Sequence, residues 1–116
     1  MRYMMIIHHD QATLTQAPQA ELWTEYAAFN QALAKAGEGF SSGLRLSPAK
    51  DGTVVRTRSD KTDVLDGPYA DTREQLAGYF FIDVPDIEQA VEWANRCPSS
   101  KYGAIEIRPI IEQTAS

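Results

Sequence analysis

The chain has 116 residues, of which 43% are hydrophobic and 23% are charged, as is typical of one compact globular domain. Its 16 acidic residues outnumber its 11 Lys and Arg, giving a net charge of -5. Because a surface that follows phosphates needs clustered cations, this balance argues against nucleic-acid binding. No apolar run approaches the ~20 residues of a membrane span, and the run at 4–7 is too short for a signal peptide. With one cysteine and hence no internal disulfide, we expect a cytoplasmic protein without a membrane partner.

Strand patterns occur at six places along the chain. Short apolar or alternating runs predict strands at 2–9, 40–47, 53–58, 62–66, 78–84 and 104–111. The third and fourth are separated by a short polar turn, which predicts a β-hairpin. Within 78–84, Tyr79 and Phe81 lie on the face opposite to two other large apolar side chains, so both faces of that strand are apolar. In the last strand, Glu106 and Arg108 lie opposite to two isoleucines.

Two helices are predicted between these strands. The segment at 10–19 reads as a loop, with Pro18 placed to begin a helix that runs over 20–37. The second helix begins after Asp86, which is a good N-cap residue, and ends before Pro98. The predicted apolar stripes are Leu22, Tyr26, Phe29 and Leu33 in the first helix and Ile87, Ala90, Val91 and Ala94 in the second.

The predicted order is β-α-β-(hairpin)-β-α-β in one domain over residues 1–112, followed by a loose tail at 113–116. Two helices cover only one face of a sheet this wide, so the other face must meet water or a partner. Because Tyr79 and Phe81 make the second face apolar, we expect a homodimer packed sheet to sheet or a buried small-molecule ligand.

Several stretches carry a resemblance to a known family, namely MRYMMII, TVVRT, DGPYADTREQLAGYFFIDV, EQAVEWA and EIRPI. They cover nearly the whole chain in order, and the chain resembles the YCII-related proteins, in particular the branch named for a DGPF motif. Here the motif reads Asp66-Gly67-Pro68-Tyr69. The resemblance implies an α+β, ferredoxin-like fold with an antiparallel sheet that pairs as a dimeric α/β barrel.

The resemblance also bears on function. The wider family is thought to carry a His-Asp pair, and at least one member type is a dehydrochlorinase acting on a chlorinated hydroquinone. The histidine of that pair normally lies on the first helix, whereas the predicted helix at 20–37 contains none. DGPF-branch proteins are often encoded near extracytoplasmic-function sigma factors, which suggests a regulatory setting as an alternative.

Asp66 is the first candidate for chemistry. A carboxylate at a strand end that faces the cleft between helix-free faces would be partly buried and suited to general-base work. An Asx-type turn is the structural alternative, and the two interpretations are compatible. Gly67 and Pro68 are expected to shape the cleft wall. Asp71 and Glu74 have capping-box spacing, which predicts a short helical turn, with Glu74 as a second candidate acid.

His8 and His9 are the candidate partners of Asp66, since a histidine titrates near neutral pH. Together with Asp10 they suggest a metal site, but adjacent strand residues point to opposite faces, so we predict no metal and no cofactor. Arg56 and Arg108, in strands predicted to flank the centre of the sheet, either clamp an anionic ligand or form ion pairs between strands.

Tyr69, Tyr79 and Phe81 are either ligand-stacking residues or part of a dimer interface. Cys97 has no feature of an activated nucleophile. Three functions therefore stay open. The first is a cofactor-independent lyase or isomerase that acts on a small polar or aromatic molecule, with Asp66 as base. The second is a small-molecule-binding or regulatory module, and the third is a purely structural homodimer.

Overall fold

A computed structural model describes residues 1–67, 69 and 74–112 of the chain. The strands are β1 (Arg2–Asp10), β2 (Gly39–Arg45), β3 (Thr53–Arg58), β4 (Lys61–Asp66), β5 (Glu74–Asp83) and β6 (Gly103–Pro109). The helices are α1 (Gln11–Thr15), α2 (Gln19–Ala36) and α3 (Ile87–Arg96), with 3-10 turns at Ala49–Asp51 and Pro98–Lys101. The fold is α+β and ferredoxin-like, as predicted.

Four strands form one antiparallel sheet in the order β2-β5-β1-β6, while β3 and β4 pair only with each other. The first and last strands of the chain, β1 and β6, are neighbours in this sheet, with Ile6 opposite Glu106 and Met4 opposite Arg108. The β3-β4 turn is made by Ser59 and Asp60, both with positive φ, as in the tight turns that suit twisted hairpins.

The core lies on the face of the sheet that the helices cover. Alternate β1 residues Tyr3, Met5 and Ile7 belong to it, because successive strand side chains point to opposite faces. They pack with Phe29 and Leu33 of α2, confirming most of that helix's predicted stripe. Phe80 and Ile82 of β5 and Ile105 and Ile107 of β6 point the same way, also as predicted.

Three local predictions were wrong. The segment after β1 holds the short helix α1, because Asp10 caps it by accepting a hydrogen bond from the Ala12 N–H at 3.1 Å. Glu74 does not lie in a helical turn; it begins β5, opposite Asp10 of β1. Glu74 is therefore paired in the sheet, where a helical turn was predicted. Asp71 lies outside the described residues.

The buried stripe of α3 is the third difference. Ala90 and Ala94 are buried as expected, but Ile87 and Val91 are exposed and Trp93 is buried instead. The Trp93 Nε1–H donates to Glu38 Oε2 at 3.0 Å, so a large side chain and its polar atom together set the rotation of this helix. Asp86 caps α3 as predicted, accepting from the Gln89 N–H at 3.0 Å.

The residues at 113–116 and Pro68 lie outside the described part of the chain. None of the helices in the described part combines the length and the hydropathy that a membrane span requires.

Candidate functional site

The helix-free face of the sheet carries a histidine–carboxylate pair. His8 of β1 and Glu106 of β6 point to this face, and His8 Nε2 lies 2.9 Å from Glu106 Oε1. Arg108, two residues along β6, places its Nε 4.0 Å from Glu106 Oε2. Glu106 therefore contacts both a histidine and an arginine. The Glu106–Arg108 ion pair lies within β6, whereas the sequence predicted ion pairs between strands.

This pair sits beside an apolar row. Tyr79 and Phe81 lie on the same face, opposite Ile6 and Met4 of β1, and their rings meet edge to face with centroids 5.6 Å apart. Leu44 of β2 stands opposite Tyr79 and is exposed. The apolar row offers ring contacts and the neighbouring arginine offers an anion contact, which are the two kinds of contact that a small molecule with aromatic and anionic parts would make.

The Asp66-Gly67-Pro68-Tyr69 motif begins at the end of the β3-β4 hairpin, which is not part of the four-stranded sheet. Asp66 is the last residue of β4 and is exposed in the single chain, so the burial expected of it would have to come from a partner. The Gly67 N–H donates to the Gly52 carbonyl at 2.7 Å, and the φ of Gly67 is +112°. That conformation favours glycine, which supports a backbone-shaping role.

Arg56 also lies on the hairpin, where its guanidinium is 5.9 Å from the centroid of the exposed Tyr69 ring. The prediction that its strand flanks the centre of the sheet was wrong, since β3 is not part of that sheet. Arg108 does lie in a strand next to the central pair of strands. Glu74, at the start of β5, is paired with the end of β1. The structure thus brings His8, Arg108 and Tyr79 to one face and leaves Asp66, Arg56 and Tyr69 on the hairpin.

His9 points to the helix side, as expected for the neighbour of His8. Its Nε2 lies 2.8 Å from the Oγ of Ser99, which is fully buried. The Tyr26 hydroxyl of α2 is hydrogen-bonded to the same Oγ and lies 3.6 Å from Cys97 Sγ. This cluster, called here the Ser99 cluster (His9, Tyr26, Cys97 and Ser99), ties β1, α2 and the 3-10 turn together.

Burial shifts the titration of the Ser99 cluster. Burial, and then the positive charge of Arg45, lower the pKa of His9, so the imidazole is held in its neutral form. Burial raises the pKa of the Tyr26 hydroxyl and of the Cys97 thiol. All three groups are therefore uncharged at neutral pH, and Cys97 has the properties of a structural thiol.

Two residues of these clusters were missed by sequence reasoning. Glu106 was placed on the right face, but its pairing with His8 depends on the strand order and register. Ser99 gives no signal in the sequence, because it is one of two adjacent serines that lie 90 residues from His9. Within the described residues, no group of three or more His, Cys, Asp and Glu side chains is arranged to hold a metal ion.

Comparison with known proteins identifies the family of the chain. The family model of the YCII-related domain matches residues 1–114. An uncharacterized protein of Rhizobium meliloti (strain 1021) is 28% identical over 117 residues, covering 95% of this chain and 92% of the relative. Because the family model spans nearly the whole sequence, the chain belongs to the YCII-related family.

Proposed function

We propose that this YCII-related protein is a small cofactor-independent acid–base enzyme, a lyase or isomerase whose catalytic pair is His8 and Glu106. The observation that carries the proposal is the 2.9 Å contact between His8 Nε2 and Glu106 Oε1. The contact supplies a histidine–carboxylate pair in a chain whose first long helix, α2, has no histidine.

The pair defines which ring nitrogen of His8 would do chemistry. A carboxylate only accepts hydrogen bonds, so the tautomer of a neutral His8 ring that fits this contact carries its proton on Nε2 and has its lone pair on Nδ1. Nδ1 would then remove a proton from a substrate, while Glu106 orients the ring and stabilises the imidazolium that forms. In the second step of an isomerisation, the imidazolium would donate this proton to another atom of the substrate. In an elimination, the bond to the leaving group would break as the new double bond forms, and the imidazolium would donate the proton to the leaving group.

The surroundings indicate the substrate class. Arg108 lies beside Glu106, with its side chain 69% exposed, and a guanidinium is well suited to bind a carboxylate or phenolate. Tyr79 and Phe81 offer an apolar surface for a ring. A compact aromatic or unsaturated anion fits both features.

We further propose that a homodimer encloses this site. The helix-free face carries Tyr79, Phe81 and the exposed Leu44, and a second copy packed sheet to sheet would exclude water from the His8–Glu106 pair. Sedimentation is expected to give a species of twice the 12.9 kDa chain mass at micromolar concentration. A single species of one chain mass would overturn the dimer.

Proton abstraction is tested by hydrogen exchange into the substrate. The protein is incubated in D₂O with a set of hydroquinones, chlorinated hydroquinones and small unsaturated or 2-oxo acids, and loss of C–H signals is followed by proton NMR. The wild type should accelerate exchange or elimination for one class, and His8→Gln and Glu106→Gln should each abolish it. Glu92→Gln, an exposed change on α3, serves as the matched control.

The outcomes separate the three functions considered. Exchange that depends on His8 and Glu106 supports the enzyme. Line broadening or shifts of a compound without exchange would replace it with a binding module, and no interaction with any class would favour a structural homodimer.

A further inference from the structure

The β3-β4 hairpin stands apart from the rest of the chain. All six residues of β4 are exposed, and in β3 only Val54 is half-buried. Three large apolar side chains on it are open to solvent, Val55 at 63%, Val64 at 61% and Leu65 at 59%. Such residues are common in sheets that pack against something and are unfavourable on a hairpin exposed to water.

A hairpin of this kind is poorly stable by itself. A two-stranded sheet without a packing surface is marginal in water, and the Thr57–Thr62 hydroxyl contact at 2.9 Å adds little. The radius of gyration of the chain is 16.4 Å, whereas a compact domain of this length has one of about 13 Å. The chain is thus more open than a domain that buries all of its elements within itself.

The register places Asp66 on the same face of the hairpin as the two exposed valines. Val55 is opposite Val64, and Thr53 is opposite Asp66, so these side chains share one face. The other face carries Arg56 and Asp63, also opposite each other, together with the Val54–Leu65 pair. Any surface that covers the two valines therefore meets the Asp66 carboxylate as well.

A second copy of this chain is the occupant that the areas favour. The helix-free face of four strands, about 7 residues long and ~4.8 Å apart, spans a plane of roughly 440 Å². A standard stable interface buries about 800 Å² of accessible surface per partner. One face of the hairpin adds roughly 190 Å² of plane, which brings the total to roughly 630 Å² and closer to the area that a stable interface buries.

Charge indicates which residue of the partner subunit Asp66 would contact. A carboxylate that enters an interface needs a cation, since an unpaired buried charge is costly. The helix-free face carries Arg108, whose side chain is 69% exposed and whose Nε only reaches Glu106 at 4.0 Å.

We infer that the β3-β4 hairpin is an arm that packs on the partner subunit and pairs Asp66 with Arg108 of the partner subunit. This inference rests on the homodimer proposed above. It makes the His8–Glu106 site a composite one, because the partner's hairpin would form one wall and its Asp66 would hold the arginine in place.

The experiment measures dimer dissociation constants by sedimentation equilibrium, with circular dichroism to check folding. Asp66→Arg and Arg108→Asp should each weaken the wild-type dimer at least tenfold. The double variant Asp66→Arg/Arg108→Asp should recover most of the affinity. Asp63→Arg, on the other face of the same strand, is the matched control and should stay within about threefold of wild type.

Hydrogen exchange of the wild type gives an independent measurement. Amides of β3 and β4 should be protected at dimer-forming concentration and lose that protection on dilution. A monomeric wild type would overturn both the dimer and the arm. A wild-type dimer that Asp66→Arg and Asp63→Arg weaken equally, or whose charge-swapped double variant is no tighter than the single ones, would leave the dimer standing and overturn the arm.

Discussion

Replacing Ser99 with alanine is expected to destabilise the protein by about 2 kcal/mol, because the fully buried hydroxyl makes two hydrogen bonds. One is to His9 Nε2 at 2.8 Å and the other is to the Tyr26 hydroxyl, and each contributes about 1 kcal/mol net. The loss corresponds to roughly 8 °C in Tm for a domain near this size.

A double-mutant cycle makes this prediction sharper. Tyr26→Phe removes only one of the two bonds and should cost about 1 kcal/mol, since its other contact, to Cys97 Sγ at 3.6 Å, is weak. The double variant Ser99→Ala/Tyr26→Phe breaks the same two bonds as Ser99→Ala alone. Its total loss should therefore be about 1 kcal/mol less than the sum of the single losses.

Urea denaturation at one fixed protein concentration measures all of these values, since association would add to the apparent stability. Ser100→Ala is the matched control, because the Ser100 hydroxyl makes only a long 3.4 Å bond to the Asn95 carbonyl; its effect should stay within about 0.5 kcal/mol. Strictly additive losses, or Ser99→Ala no worse than Ser100→Ala, would refute the Ser99 cluster as a structural tie.

Three further expectations concern the same region. The folded-state pKa of His9 lies below the ordinary 6.5, so the unfolded chain binds the proton more readily, and the free energy of unfolding should fall as the pH drops below about 6.5. Urea denaturation at pH 7.5 and pH 5.5 should show this difference in stability, and His9→Gln should reduce it. A Cβ at Gly103 would overlap the His8 carbonyl oxygen, so Gly103→Ala should cost about 1–3 kcal/mol by thermal melting, and a Tm equal to wild type would contradict the β1-β6 register. Cys97 is buried with a raised pKa, so a thiol reagent should modify it only in urea, and rapid modification of the native protein would contradict that burial.

Strand positions were predictable where alternation was strong. The bounds predicted for β3 agree with the structure, and the two faces of β6 were assigned correctly because Ile105 and Ile107 alternate with polar residues. The prediction failed at Glu74, where a capping-box spacing of local origin lost to pairing with Asp10, a contact with a distant strand. A local sequence pattern does not show which distant strand will form hydrogen bonds with the backbone of the same residues.

The candidate site was predictable only in part, for a related reason. Opposite directions for His8 and His9 follow from the two-residue period of a strand and are seen in their separate contacts with Glu106 and Ser99. Which residues they contact depends on the register of β1 and β6 and on the packing of a 3-10 turn. Neither produces a periodic pattern of residues along the sequence. Asp66 shows the same limit, since strand alternation cannot tell which surface a hairpin will cover.

Matched substitutions of the two adjacent histidines should separate folding from chemistry. His8 is partly exposed and its bond to Glu106 lies on the surface of the single chain, so His8→Gln should change stability by less than about 1 kcal/mol while abolishing exchange into the substrate. His9 bonds to the buried Ser99 hydroxyl, so His9→Gln should cost about 1 kcal/mol or more. Urea denaturation and the D₂O exchange assay on both variants give the comparison. If His9→Gln abolished exchange with stability intact and His8→Gln did not, the catalytic base would belong to the helix side, and the His8–Glu106 assignment would be wrong.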